Sequence, residues 1–359
     1  DLDTLRAQIA ALKQDYETRI AALEARLQAS ESPRPTPATA PVDTQGAATS
    51  SNSAGLSLGL ILQGQYKHRD DLAERGLSGF SPIGGHAHGS ERGFSLDHSE
   101  LILSGNIDPS FSGQAIFAVA DEEVEVEEAW FQTLGLGHGL TLKGGRFASG
   151  LGYLNTHHPH AWDFTDTPLM YSALFGERHS HDGLQLTWLA PTDTFLQFGL
   201  EAGRGGAVAG DYNGNGAGAW TAFAKFGGDV GESHSWRAGL AYLSAKPRDR
   251  AGHWEDDNAE ETETLFSGTS RTWVADFVWK WAPNGNPKAR NFKFQAEYFR
   301  RHESGDLTCA DNTPAGLCGG LTDTYDTRQS GWYTQAVYQF MPRWRTGLRF
   351  DRLDSGQQA

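Results

Sequence analysis

The stretch NTHHPHAWDF, residues 155–164, carries three imidazoles in four positions, His157, His158 and His160, followed by Asp163 and, three residues on, Asp166. A second stretch, GERHSHDG, adds His179 and His181, and GGHAHG adds His86 and His88. Imidazole nitrogen with carboxylate oxygen suits Zn²⁺ or Cu²⁺ in an open, labile site. The sharp reading is therefore a zinc ligand set, with no resident cofactor required; the plain reading is a group of solvated loop histidines. Hydrolytic chemistry is not indicated. The chain has no HExxH, no phosphate-cradling glycine loop and no coherent Ser/His/Asp grouping, so an enzyme is not expected.

A second group of residues concerns charge rather than ligation. The acidic run DEEVEVEEAW puts Glu125 and Glu127 on one strand face and Val124 and Val126 on the other. Carboxylates avoid lipid, so these two are expected to line a polar interior. Opposite them stand the inward candidates Lys143, Lys225, Arg237, Lys280, Lys293, Arg345 and Arg349. A ring of one sign sets selectivity in a pore. The sequence offers both signs and leaves the choice between cation and anion preference open.

These side chains need elements to hold them, and the dominant element is a strand. GLSLGLILQ, WVADFVWKW and NFKFQAEYFR alternate with a period of two, and no run of eighteen apolar residues exists. About thirteen strands are expected. The links near 108–110, 135–139, 191–193, 227–232, 282–290 and 341–343 are short. Those near 67–93, 148–182, 203–218, 244–270 and 302–328 are long, and the two kinds alternate, apart from a brief link near 121–124. Short turns at one end and long loops at the other are the topology of an all-β, antiparallel transmembrane barrel of the outer membrane. Trp188, Trp236, Trp281, Trp332 and Trp344 at strand ends fit its interfacial girdles. The histidines then crowd the outer mouth, and the loop holding HHPH is expected to fold inward as a constriction. An even strand number, sixteen, is expected of the closed barrel, so C-terminal strands are read as missing.

Before the barrel, residues 1–30 read as a helix with Leu5, Ile9, Leu12, Tyr16, Ile20, Leu23 and Leu27 in a narrow stripe. Its eleven-residue period suits a coiled coil. Residues 31–54, rich in Pro, Ala, Ser and Thr, read as a linker, and residues 55–359 as the barrel. The formal charge of −15 leaves no basic face for nucleic acid. Cys309 and Cys318 are expected to pair in an oxidising compartment.

The segments GRFASGLGYLN and GERHSHDGLQLTW resemble strand-to-loop motifs of the phosphate-selective porins O and P. EVEVEEAWFQTL, HAWDFTDTPL, DFVWKWAPNGNP and SGWYTQAVYQFMPRWRTGLRFDRLD together resemble the proteobacterial family of zinc-regulated, so-called TonB-dependent, outer-membrane receptors. The resemblance implies a porin-like barrel in a Gram-negative outer membrane, in contact with lipid and lipopolysaccharide, with its N-terminal helix in the periplasm and a link to zinc supply. The porin relatives imply a homotrimer. TonB-dependent transporters carry a globular plug before the barrel, whereas here only a helix and a linker are read, so TonB coupling is not expected. Three functions remain in view: a passive channel for small ions and solutes linked to zinc or another divalent metal, an anion-selective porin of the phosphate type, and a surface metal-binding or adhesion barrel without an open pore.

Overall fold

The computed structural model describes residues 55–68, 80, 93–96, 99–120, 123–255, 261–310 and 320–356. The expected helix over 1–30, the linker over 31–54 and the pair His86 and His88 lie outside them. Among the described residues no helix is long and apolar enough to cross a membrane.

Among the described residues thirteen strands follow one another in a single antiparallel meander, in line with the about thirteen expected from the alternation. They are β1 (Leu56–Ile61), β4 (Ser99–Asp108), β5 (Phe111–Ala120), β6 (Glu123–Thr133), β7 (Leu140–Ala148), β8 (Ser180–Leu189), β9 (Phe195–Gly203), β10 (Ala219–Val230), β11 (His234–Ala245), β13 (Glu261–Trp281), β14 (Asn291–Cys309), β15 (Thr322–Met341) and β16 (Trp344–Asp354). Two short strands, β2 (Gly64–Lys67) and β3 (Gly93–Leu96), pair with each other, and β12 (Arg250–Glu255) pairs with β13. Turn chemistry is local. At the β4–β5 turn, Asp108 Oδ1 accepts from the amides of Ser110 and Phe111 at 2.6 and 2.9 Å, the Asx geometry that reverses a chain in few residues.

The strands run further than the sequence pattern indicates. Residues 261–270, 302–309 and 322–328, expected in long loops, belong to β13, β14 and β15, which reach 21, 19 and 20 residues. The cause is compositional. In ETETLFSGTS and in TDTYDTR neither face has an unbroken apolar row, so alternation cannot be seen even though the ladder continues.

Polarity is reversed relative to a water-soluble sheet. Leu58, Leu184, Trp273 and Leu348 on the outer face are 60, 55, 49 and 82% exposed, while Glu201, Gln295, Glu297 and Gln335 are buried on the inner face. An apolar outside around a polar inside is the pattern of a strand cylinder solvated by lipid. The sheet is also rolled. His160 touches Glu100 on β4 and Asp163 touches Arg345 on β16, although these strands lie near opposite ends of the meander. Laid flat they would stand about 50 Å apart at ~4.8 Å per strand, and three residues of chain span at most about 11 Å. The wall therefore curves around the segment that carries both residues.

Candidate functional site: an inturned loop and its charged walls

The β7–β8 connection, residues 149–179, fills the inner side of this wall. It contains two short 3₁₀ turns, Leu154–Thr156 and Pro159–Ala161, and a two-turn helix, Leu169–Phe175, whose apolar side chains Met170, Tyr171, Leu174 and Phe175 are buried against Phe299 and Tyr333. Asn155 closes its two ends. The side-chain amide donates to the carbonyls of Ser149 and His179, and its Oδ1 accepts from the His179 amide at 2.7 Å.

Two wall carboxylates pin the loop. Glu201 on β9 accepts from the Ser149 hydroxyl, the Gly150 amide and Gln185 at 2.6–2.7 Å. Glu297 on β14 accepts from the amides of Tyr153 and Leu154 and from the hydroxyls of Tyr171 and Tyr333. Only glycine permits that approach: at Gly152, with φ +65°, a Cβ would stand 2.4 Å from the Glu297 carboxylate. Neither glutamate is evident from motif reading. The signal available was the inward register of Gln197, Gly199 and Glu201, and of Gln295 and Glu297.

On one wall the charges are basic. Lys225 on β10 lies over the Phe223 ring, and Arg237 on β11, Lys280 on β13 and Lys293 on β14 surround the ring of Tyr153 at 4.6, 5.8 and 5.8 Å. Lys280 and Lys293 stand directly opposite each other in register. A like-charged cross-strand pair is unfavourable by itself, so counter-anions are needed nearby. Asp163 supplies one, held by Lys293 and by Arg345 at 2.9 Å. Asp276 pairs with Arg237 at 3.3 Å, and Asp166 with Arg349 at 2.6 Å. Asp163 and Asp166, read from sequence as metal ligands, are thus engaged as loop anchors to β14 and β16. Lys143 on β7 sits inside, 4.4 Å over the Trp130 ring.

The other wall is acidic, and a bulge shapes it. Opposite Ile116 and Phe117 the register of β6 slips by one. Glu127 is the extra residue, and Glu128 returns to the inner face. His158 Nδ1 lies 3.3 Å from both Glu100 and Glu127, and its Nε2 lies 3.2 Å from Glu128. Arg178 bridges Glu127 and Glu128 at 3.1 and 2.8 Å. Burial opposes the charged imidazole, but the three carboxylates outweigh it and push His158 up to about 11. Simple alternation missed Glu128 because a bulge breaks it; Glu100 gave no motif at all.

The histidines separate into groups. His158 and His160 converge on Glu100, and these three are the metal-ligand atoms that come together among the described residues. His157 turns away, its Nδ1 2.8 Å from the Tyr153 carbonyl; burial first, then Lys293, Arg237 and Lys280, pull it down to about 4. His179 is buried and stacked on Phe175, and burial with neighbouring His181 takes it down to about 3. His181 packs edge-on to Phe147 and lies 3.9 Å from Glu201. Glu125 faces inward at the rim, beside a cavity of about 610 Å³ where β6 and β7 part, which Arg146, Asp182 and Arg204 also line.

No family model matches the chain. An uncharacterized protein of Aquifex aeolicus is 31% identical over 319 residues, which are 84% of this chain and 64% of that protein, so the chain spans under two thirds of its relative. Among solved structures, outer-membrane expressed OmpT of Vibrio cholerae is similar at 11% identity and a TM-score of 0.44, covering 86% of this chain and 80% of its own. OprB of Pseudomonas putida, in a high-pH structure, is 11% identical at a TM-score of 0.37, with 83% and 89% covered. An anion-selective porin from Comamonas acidovorans is 10% identical at 0.34, with 85% and 93% covered.

Proposed function

We propose that this chain forms a passive outer-membrane channel for small solutes, constricted by residues 149–179 and biased toward anions. The observation that carries the reading is the inturned loop, tied to walls from β4 to β16 and faced by Lys225, Arg237, Lys280 and Lys293. Apolar outer strands with a polar interior support a membrane setting. Fixed cations in a narrow, low-dielectric passage lower the energy of an anion and raise that of a cation. The same wall disfavours free divalent metal as cargo, so zinc belongs to this reading as a bound ligand rather than a transported one. The receptor part of the family resemblance rests on its sequence motifs alone.

The test is single-channel recording of the purified full chain in a planar bilayer under a KCl gradient. A steady conductance with a reversal potential of anion-preferring sign is expected. Replacing Lys280 and Lys293 by Glu should shift that potential toward cation preference. Silence across independent preparations of folded protein would favour a closed surface barrel, and cation preference in the parent would overturn the role of the basic wall.

A further inference from the structure

We propose that Glu100, His158 and His160 form a binding site for a divalent first-row transition ion, with Zn²⁺ as the reference case, that staples the inturned loop to β4. Glu100 Oε1 lies 3.3 Å from His158 Nδ1 and 2.8 Å from His160 Nδ1. All three ligand atoms fall within 4.8 Å of one another. The edge of a tetrahedron with ~2.05 Å zinc–nitrogen bonds is about 3.3 Å, so little rearrangement separates this cluster from a coordination sphere.

Three further observations point to a cation. Glu100 is 1% exposed, and its Oε2 accepts no hydrogen bond among the described residues. A buried carboxylate oxygen left without a donor is costly, and a metal satisfies it. Secondly, His158 uses its other nitrogen, Nε2, on Glu128 at 3.2 Å, and Arg178 fixes Glu128 in turn. A carboxylate behind an imidazole is the usual outer support of a metal-bound histidine, setting its tautomer and raising its basicity. Thirdly, with the imidazoles neutral, as metal ligands must be, Glu100, Glu127 and Glu128 with Arg178 leave two negative charges. One divalent ion balances them.

The Pro159 turn makes the geometry possible. It opens the 3₁₀ turn between the two histidines and leaves their rings nearly parallel, with centroids 5.7 Å apart and 26° between planes. The donor set of two imidazoles and one carboxylate leaves a position for water or an outside ligand, as in an open zinc site. Imidazole nitrogen argues against Mg²⁺ and Ca²⁺, which take oxygen.

The test is isothermal titration calorimetry of untagged, folded full-length protein in detergent with ZnCl₂, and with MgCl₂ as the contrast. One site per chain is expected to respond to Zn²⁺ and not to Mg²⁺. His158→Ala, His160→Ala and Glu100→Gln should each weaken that site at least about tenfold, while His302→Ala, remote from the cluster, should leave it unchanged. Folding of each variant is checked by the heat-dependent gel mobility of the barrel. If the parent binds no zinc, or if folded His160→Ala and Glu100→Gln bind it like the parent, the proposal is overturned. Calorimetry does not depend on current, so failure here leaves the channel reading untouched, and a silent channel leaves this site standing.

Discussion

Buried titratable side chains in the loop make its docking sensitive to acid, and the sign can be worked out residue by residue. His157 and His179 have folded values of about 4 and about 3, below the ordinary histidine value of about 6.5. Their contribution is complete above 6.5 and is lost as pH falls toward 4 and then 3. His158 runs the other way. Its raised value gives a contribution that is full below 6.5 and lost only as pH climbs through about 11. Acid therefore loosens the loop through His157 and His179 while His158 still holds. Proteolysis within residues 149–179 should accelerate between pH 6.5 and 4, and a His157→Phe, His179→Phe double variant should flatten that profile. An unchanged profile in the folded double variant would show that other groups govern the loop. Gly152→Ala belongs to the same scale. It places a methyl against Glu297 in a backbone region costing ~1–2 kcal/mol for other residues, so protease susceptibility of the loop should rise at neutral pH with the barrel intact.

At the level of elements, the loop behaves as a cover held by a few polar pins. Glu297→Ala orphans two amides and two hydroxyls, each a loss of ~1–3 kcal/mol when water cannot replace the bond. Larger and noisier single-channel currents are expected than in the parent. The element scale also shows what sequence can and cannot reveal. Strands such as Trp273–Trp281 were legible because their two faces differ in polarity, and the turns because Asp108-Pro109 and its like act locally. The Glu100–His158–His160 cluster was half legible. HHPH drew attention by composition, yet its partner lies 58 residues upstream of His158 by numbering, and Glu128 reached the site through a one-residue register slip that no pattern forecasts. His179 and His181 looked alike in sequence but became packing residues, because the chain after the loop helix dives straight into β8. A disulfide also belongs here. Cys309 is disulfide-bonded at the end of β14, and with two cysteines in the chain reduction should loosen the β14–β15 link without unfolding the ladder. Mass spectrometry without reductant should find Cys309 joined to Cys318, and free alkylation of both would count against it.

For the molecule as a whole, association is a proposal from sequence: the apolar stripe of residues 1–29 is too narrow to cover a barrel and wide enough for a parallel bundle. Deleting residues 1–30 should lower trimer yield on cross-linking in mild detergent; identical monomers before and after deletion would remove the coiled coil from the account. The described wall has its own consequence for how solutes arrive. Strands β13, β14 and β15 run 21, 19 and 20 residues, whereas β7, β8 and β9 run 9, 10 and 9. At ~3.3 Å per residue and a tilt of about 40°, a twenty-residue strand climbs about 50 Å, whereas one of nine or ten residues climbs about 24 Å, close to the ~25 Å apolar band of such barrels. Among the described strands the surplus stands on one side of the wall, which gives them the profile of a parapet rather than a ring. Height maps of reconstituted protein by atomic-force imaging should show a one-sided ridge. On the proposed channel reading, a solute entering from the long-loop end meets Glu100, Glu127 and Glu128 before Lys280 and Lys293, which stand at the short-turn ends of β13 and β14, so the two ends of the passage are electrically unequal.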